Sequence, residues 1–356
     1  MRFSEQVKLV AFSILSTSSL LPSLAHEGHE HKRSNYVSEA SHLVGSYKPS
    51  SREHSPEAMA GSAKAFSESL TEEQRKLVSS PLRDAEREKW TNLPQRSGNG
   101  GLPLGKCNDA QMKAFCDMLA TLLSEQGYQK MCEVMLADDQ LLTDGKPRAG
   151  FGTEDFFVVL FGTPSATEPW GFQLDGHHLG LNLSIEGERV TFAPSHIGMQ
   201  PDAFTIGEQD FRPLGKENDS GFALVNSLTD SQRSESVLSD RRGPLVTGPG
   251  NDEVPSLPGV SCSSFDESQR KNLLQLIALW VNDLPEEQAA KRMSALEAEV
   301  DKMTFGWKGP LTNGSAMYYS IQGPTLIIEY GAQDDAATHI HTMYRDPANA
   351  YGKQLN

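Results

Sequence analysis

Two hydrophobic periods alternate along this chain. From Asn108 to about Leu136, apolar residues recur at helical spacing (Met112, Phe115, Met118, Leu119, Leu122), with a break near Gly127. Helical pattern also covers about Pro56 to Trp90, whose second part opens with the capping box Thr71-Glu72-Glu73-Gln74, and returns near 217–238 and 265–300. Between these stretches the period shortens. Phe156 to Phe161 is a continuous apolar run ending in Gly-Thr-Pro, a buried strand entering a turn. Strand-like segments follow at 170–184 and 189–193, and again at 316–322, 325–330 and 337–344. Strands grouped between helices predict an α+β fold, with a mixed or antiparallel sheet covered by several helices.

Within 170–184 the apolar phase is even at Phe172 and Leu174 but odd at Leu179, Leu181 and Leu183. A bulge at Gly176 would produce that flip and re-aim its neighbours. Three segments also echo one another: Leu70-Thr71-x-x-Gln74-Arg75, Leu228-Thr229-x-x-Gln232-Arg233 and Phe265-Asp266-x-x-Gln269-Arg270. Repeated helix-start chemistry accounts for them more simply than duplication. Phe156–Pro164 and Met317–Thr325 look alike too, each a strand running into a Gly/Pro turn.

The N-terminus reads as a targeting segment. Arg2 and Lys8 precede an apolar run from Leu9 to Leu21, and Ser23-Leu24-Ala25 offers a small-residue cleavage point. Residues 1–25 are therefore expected to be a signal peptide, too short to span a bilayer, with no membrane insertion after cleavage and a periplasmic or secreted product. Residues 26–55, rich in His and Ser, read as a flexible leader, and 56–356 as a single α+β domain. His26, His29 and His31 in the leader can hold zinc or copper loosely. The net charge of −15 disfavours nucleic acid and anionic lipid as partners. In an oxidising compartment Cys107, Cys116, Cys132 and Cys262 are expected as structural disulfides or buried thiols, Cys116 with Cys132 being a plausible pair.

The candidate chemistry is concentrated in two β-rich stretches. His339 and His341 alternate along a strand and so share a face, with Arg345 further along it. Two such imidazoles can chelate one metal ion, and His177 and His178 can supply the remaining ligands. A bulge at Gly176 would bring Asp175 into the same pocket. Glu329, after Leu326-Ile327-Ile328, is a further carboxylate ligand or hydrogen-bonding partner, or an exposed strand end. Arg345 can bind a carboxylate or phosphate of a small anionic substrate, or pair with Asp346. Gly100 to Lys106 imitates a phosphate-binding loop, but Cys107 replaces the hydroxyl residue and no strand precedes it.

The stretches Gly101-Leu-Pro-Leu, Phe161-Gly-Thr-Pro, Pro169-Trp-Gly-Phe-Gln-Leu-Asp-Gly-His-His-Leu, Arg212-Pro-Leu-Gly and His339-Ile-His-x-x-x-Arg-Asp-Pro resemble the family called domain of unknown function 3500. The resemblance runs from about residue 60 to the end and implies one continuous domain, without supplying a reaction. The expectation is an exported protein binding one divalent transition metal ion, zinc or copper with iron as a further option. As an enzyme it would be a hydrolase or an oxidoreductase. The rival expectations are a metal-free small-ligand binder and a copper- or zinc-handling protein.

Overall fold

A computed structural model describes residues 36–94, 100–146, 148–249 and 253–355. The expected signal peptide and His26, His29 and His31 lie outside the described residues. The leader expected through residue 55 does not extend that far. Ser38 caps a helix, α1 (Glu39–Ser46), which buries Ala40, Leu43 and Val44. Its apolar residues fall at i, i+3 and i+4, too few to stand out in a Ser- and His-rich context.

Two halves follow. The first runs α2 (Pro56–Ser69), α3 (Glu72–Val78), β1 (Ser79–Ser80), β2 (Leu102–Pro103), α4 (Asp109–Leu122), α5 (Glu125–Gln140), β3 (Phe157–Phe161), β4 (Trp170–Gly176), β5 (Leu179–Glu186), β6 (Arg189–Thr191) and β7 (Ser195–Met199). After a small hairpin, β8 (Phe204–Ile206) with β9 (Gln209–Phe211), come α6 (Gly215–Ser227), α7 (Asp230–Ser236), β10 (Val237–Ser239) and β11 (Val260–Ser261). The chain ends with α8 (Glu267–Val281), α9 (Glu286–Glu297), β12 (Thr304–Lys308), β13 (Tyr318–Gln322), β14 (Ile327–Ala332) and β15 (Ile340–Arg345). The fold is α+β. The helical stretch expected from Pro56 to Trp90 is broken, because Leu70 and Thr71 leave the helical region to cap α3.

The large sheet has the order β1-β3-β4-β5-β7-β15-β14-β13-β12-β10, with β2 on β3, β6 on β5 and β11 on β12. Apart from β6, that order reads alike from either edge. β1 runs parallel to β3 as β10 does to β12, and β2 antiparallel to β3 as β11 does to β12. The repeated Thr-x-x-Gln chemistry reaches beyond capping. Gln74 and Gln111, each the last residue of a capping box, bond to each other through their amides, and Gln232 and Gln269 repeat that pairing. The side-chain amides of Gln111 and Gln269 then bond equivalent carbonyls, at Ser69 and Ser227. Matching succession, pairing and cross-bonds make the two halves copies of one unit, so the echo in the sequence marks an internal repeat. Phe156–Pro164 and Met317–Thr325, by contrast, are not equivalent, since β3 corresponds to β12 rather than β13.

The two faces of the sheet differ. One is apolar (Leu174, Leu181, Ile197, Tyr330, Tyr319) and packs on helices: Trp280 of α8 stands edge-on to Tyr319, and Phe222 of α6 to Trp307. The other face carries Gln173, Asn182, His196, His341 and Glu329, and irregular chain covers it. Segment 85–92 lies over the first half, with the Trp90 ring against Gly180, and residues 243–249 and 253–258 over the second. Each covering segment falls between the two short edge strands of its own half. Where the halves' helices meet, Lys130 is buried between Glu217 and Asp283, 2.9 Å from each carboxylate.

Candidate metal centre

The phase change between Phe172 and Leu183 comes from a hairpin, not a bulge. β4 and β5 pair through Gly176 with Leu179, leaving His177 and His178 as a two-residue turn. Across such a turn, facing residues have opposite parity, which is the observed flip. His178 takes the left-handed conformation (φ 68°), costly for a side chain that is not glycine, and both its backbone groups are held. Its N–H donates to Asn92 O at 3.1 Å, and its carbonyl accepts from Gly198 N at 2.6 Å.

The turn delivers the imidazoles to the centre of the sheet. His178 Nε2 lies 2.9 Å from His339 Nε2, which lies 3.0 Å from His341 Nε2. His341 stands on β15 and His339 one residue before that strand, and the rings of these two alternate positions come together as expected. His178 is buried, and His339 and His341 are partly open, which leaves solvent access on their side. On the other side of the turn, His177 Nδ1 bonds Asp138 Oδ1 at 2.5 Å, and the same oxygen is 3.8 Å from His178 Nδ1. Asp138, on α5, also accepts from Gly152 N at 2.6 Å, and Phe151 stands edge-on to the His177 ring. Among the described residues, two groups could hold a metal ion: His178 with His339 and His341, and Asp138 with His177 and His178.

Burial fixes the protonation. It pushes His341 down to about 2 and His196 to about 3, and His178 further still; His339 is also lowered. All four are therefore neutral imidazoles at ordinary pH, the form in which histidine binds metal. The three Nε2 atoms cannot all be satisfied by one another. If His339 Nε2 donates, it has no lone pair with which to accept, so at most one of its two contacts is an ordinary hydrogen bond. A cation in their midst removes that conflict. His178 Nδ1 is buried without a hydrogen bond and faces Asp138, the carboxylate–imidazole arrangement that orients a ligating histidine.

The remaining sequence candidates stand elsewhere. Glu329 is fully buried and saturated, accepting from Val246 N (2.6 Å), Thr247 N (2.8 Å), Tyr318 Oη (2.7 Å) and Thr247 Oγ1. It pins the covering chain at Val246 and Thr247 and has no lone pair to spare for a metal. Asp175 is buried on the same face as His196, in one row with Gly180 between them, so two strand spacings of roughly 5 Å each separate it from His196. Arg345 shares the face of His341 but lies four residues along, roughly 13 Å away at strand rise, and donates to Glu253 O. Asp346, its expected partner, pairs with Arg292 at 3.4 Å. The four cysteines, including the expected pair Cys116 and Cys132, are free thiols.

Two residues at the centre were not apparent from the sequence. His196 faces His341 across the central strand pair, ring centroids 4.8 Å apart, and accepts at Nε2 from Asn92 Nδ2. The two occupy symmetrical positions about the Ile197–Thr342 pair, each one residue before it. Asp138 is the other. The family model described as "Protein of unknown function (DUF3500)" matches residues 52–353. The chain belongs to this family. In this DUF3500 protein the match takes in both repeat halves and every histidine of the centre. No curated protein and no solved structure matches the chain. No helix among the described residues is long and apolar enough to cross a membrane.

Proposed function

We propose that this is an exported metal-dependent enzyme in which His178, His339 and His341 hold one divalent transition metal ion through their Nε2 atoms. The observation that carries the reading is the convergence of those three atoms, 2.9 and 3.0 Å along the chain of contacts, from neutral and largely buried rings. His178 forms the floor, His339 and His341 the open rim, and the charge of Asp138, 3.8 Å from His178 Nδ1, favours the tautomer with the proton on that atom and Nε2 free to ligate. His177, held by the same carboxylate, stacks on the His178 ring beside Phe151. Zinc best matches an all-imidazole set, and when bound it would lower the pKa of a coordinated water and polarise a carbonyl or phosphoryl oxygen, which suits hydrolysis of a small substrate. Copper or iron in the same ligands would suit oxidation instead.

Metal analysis of protein purified without a His tag tests the reading. One zinc or copper per chain, lost in His339→Ala, supports it. Sub-stoichiometric metal that His339→Ala does not change favours a metal-free ligand-binding protein. Full metal loading that falls when residues 26–31 are deleted favours a metal-handling role.

A further inference from the structure

A second site lies on the same sheet face, beyond Trp90. A cavity of about 390 Å³ is lined by Arg83, Arg87, Trp170, Ser184, Tyr351 and Lys353, with Asp84 and Glu88 also on its wall. Arg87 is its floor. The residue is only 6% exposed, yet no carboxylate pairs with it. Its Nη2 donates to Leu183 O and Ser184 Oγ, both at 2.7 Å, its Nη1 reaches Tyr351 O at 3.5 Å, and its Nε has no partner. Its guanidinium lies over the Phe161 ring at 5.0 Å. Gly171 makes room for it, since a Cβ there would lie 2.7 Å from Nη2.

A buried cation with neutral partners alone is expensive, and the missing counter-charge has to come from somewhere. The nearby acids supply it only in part, since the one whose charge acts on Arg87, Glu88, makes no contact with it. Asp84 is engaged by Ser80 Oγ and Glu86 N, and Glu88 is exposed. Arg87 Nε, without a partner, is an N–H donor, and Arg83 and Lys353 add positive charge at the mouth in a chain of net charge −15. A ligand that matches this lining offers acceptors and negative charge.

We propose that this cavity is an oxyanion site, taking the carboxylate, phosphate or sulfate group of a small molecule over Arg87. The site is wired to the histidine centre. Tyr351, in its wall, accepts through its hydroxyl from Trp90 Nε1 at 2.8 Å, and the Trp90 ring lies 6.4 Å from that of His196. The proposal does not depend on a metal.

Titration of ¹⁵N-labelled full-length protein with acetate, inorganic phosphate or sulfate, at constant ionic strength held by chloride, tests it. The backbone amide resonances of Ser184 and Gly352, which line the cavity, should shift saturably with at least one of the three, and which one responds identifies the anion class. Arg87→Gln should abolish the shift. Should that variant fold poorly, the pair Arg83→Gln and Lys353→Gln at the exposed mouth should weaken binding several-fold while leaving the melting temperature unchanged. Ser184 and Gly352 resonances that none of the three anions moves overturn the proposal. So does a shift that survives unchanged in the mouth variants.

Discussion

The Nε2 atoms of His178 and His339 lie 2.9 Å apart although 161 positions separate them in the chain. A left-handed turn carries one and a loop entering the last strand carries the other. The repeat architecture places both beside the central strand pair, in the gap between two irregular coverings.

Asp138 is the strongest test of how the ligands are held. Asp138→Asn keeps the shape but loses the charge that orients His178 and His177, so metal affinity should fall 10- to 100-fold, with the fold retained. Competition with a chromophoric chelator measures it. An unchanged affinity would remove Asp138 from the centre.

Acid should destabilise the metal-free protein. His196 and His341 titrate in the fold at about 3 and about 2, against 6.5 when unfolded, so below about 6.5 the unfolded chain binds protons that the native state refuses. Stability is therefore full above that value and lost as pH falls through the window down to about 3, by about 1.4 kcal/mol per pH unit for each such histidine. Denaturant unfolding of chelator-treated protein across this range should show the slope. His196→Asn should make it shallower.

Trp90 depends on the absence of a side chain beneath it. A Cβ at Gly180 would collide with the six-membered ring of Trp90. Gly180→Ala should cost about 1–3 kcal/mol and loosen the covering segment that holds Asn92 against His196. Thermal melting gives the first effect, and faster hydrogen exchange at 85–92 gives the second.

Lys130 joins the halves. Lys130→Ala leaves Glu217 and Asp283 buried and facing one another, and should destabilise by about 3–5 kcal/mol, measured by denaturant unfolding. A loss under about 1 kcal/mol would show that the ion triad does not hold the interface.

Much of this was legible in the sequence. The helical periods, the β-rich ends and the four histidines at 177, 178, 339 and 341 all stand out, because their polar residues interrupt strong apolar patterns. The hairpin did not, because two-residue turns are recognised by Asn and Gly, and here the left-handed position is filled by His178. Without that turn the parity flip looks like a bulge. His196 was hidden because its strand, Ser195–Met199, is five residues long and follows Pro194. Asp138 sits on a helix whose apolar face explains itself, so nothing in its spacing points to a distant turn. Glu329 and Arg345 show the opposite error: a charged residue in a strand can serve a covering loop as readily as an active centre. The repeat was visible as three similar capping boxes, but only the Gln74–Gln111 and Gln232–Gln269 cross-bonds distinguish inheritance from common helix-start chemistry.

The most direct test is anomalous diffraction from crystals of untagged protein, collected at the zinc and copper absorption edges. The account predicts one strong peak per chain at one of these edges, within coordinating distance of the Nε2 atoms of His178, His339 and His341. Rings that hydrogen-bond one another around water, with no anomalous peak from protein purified in metal-replete medium, would contradict it.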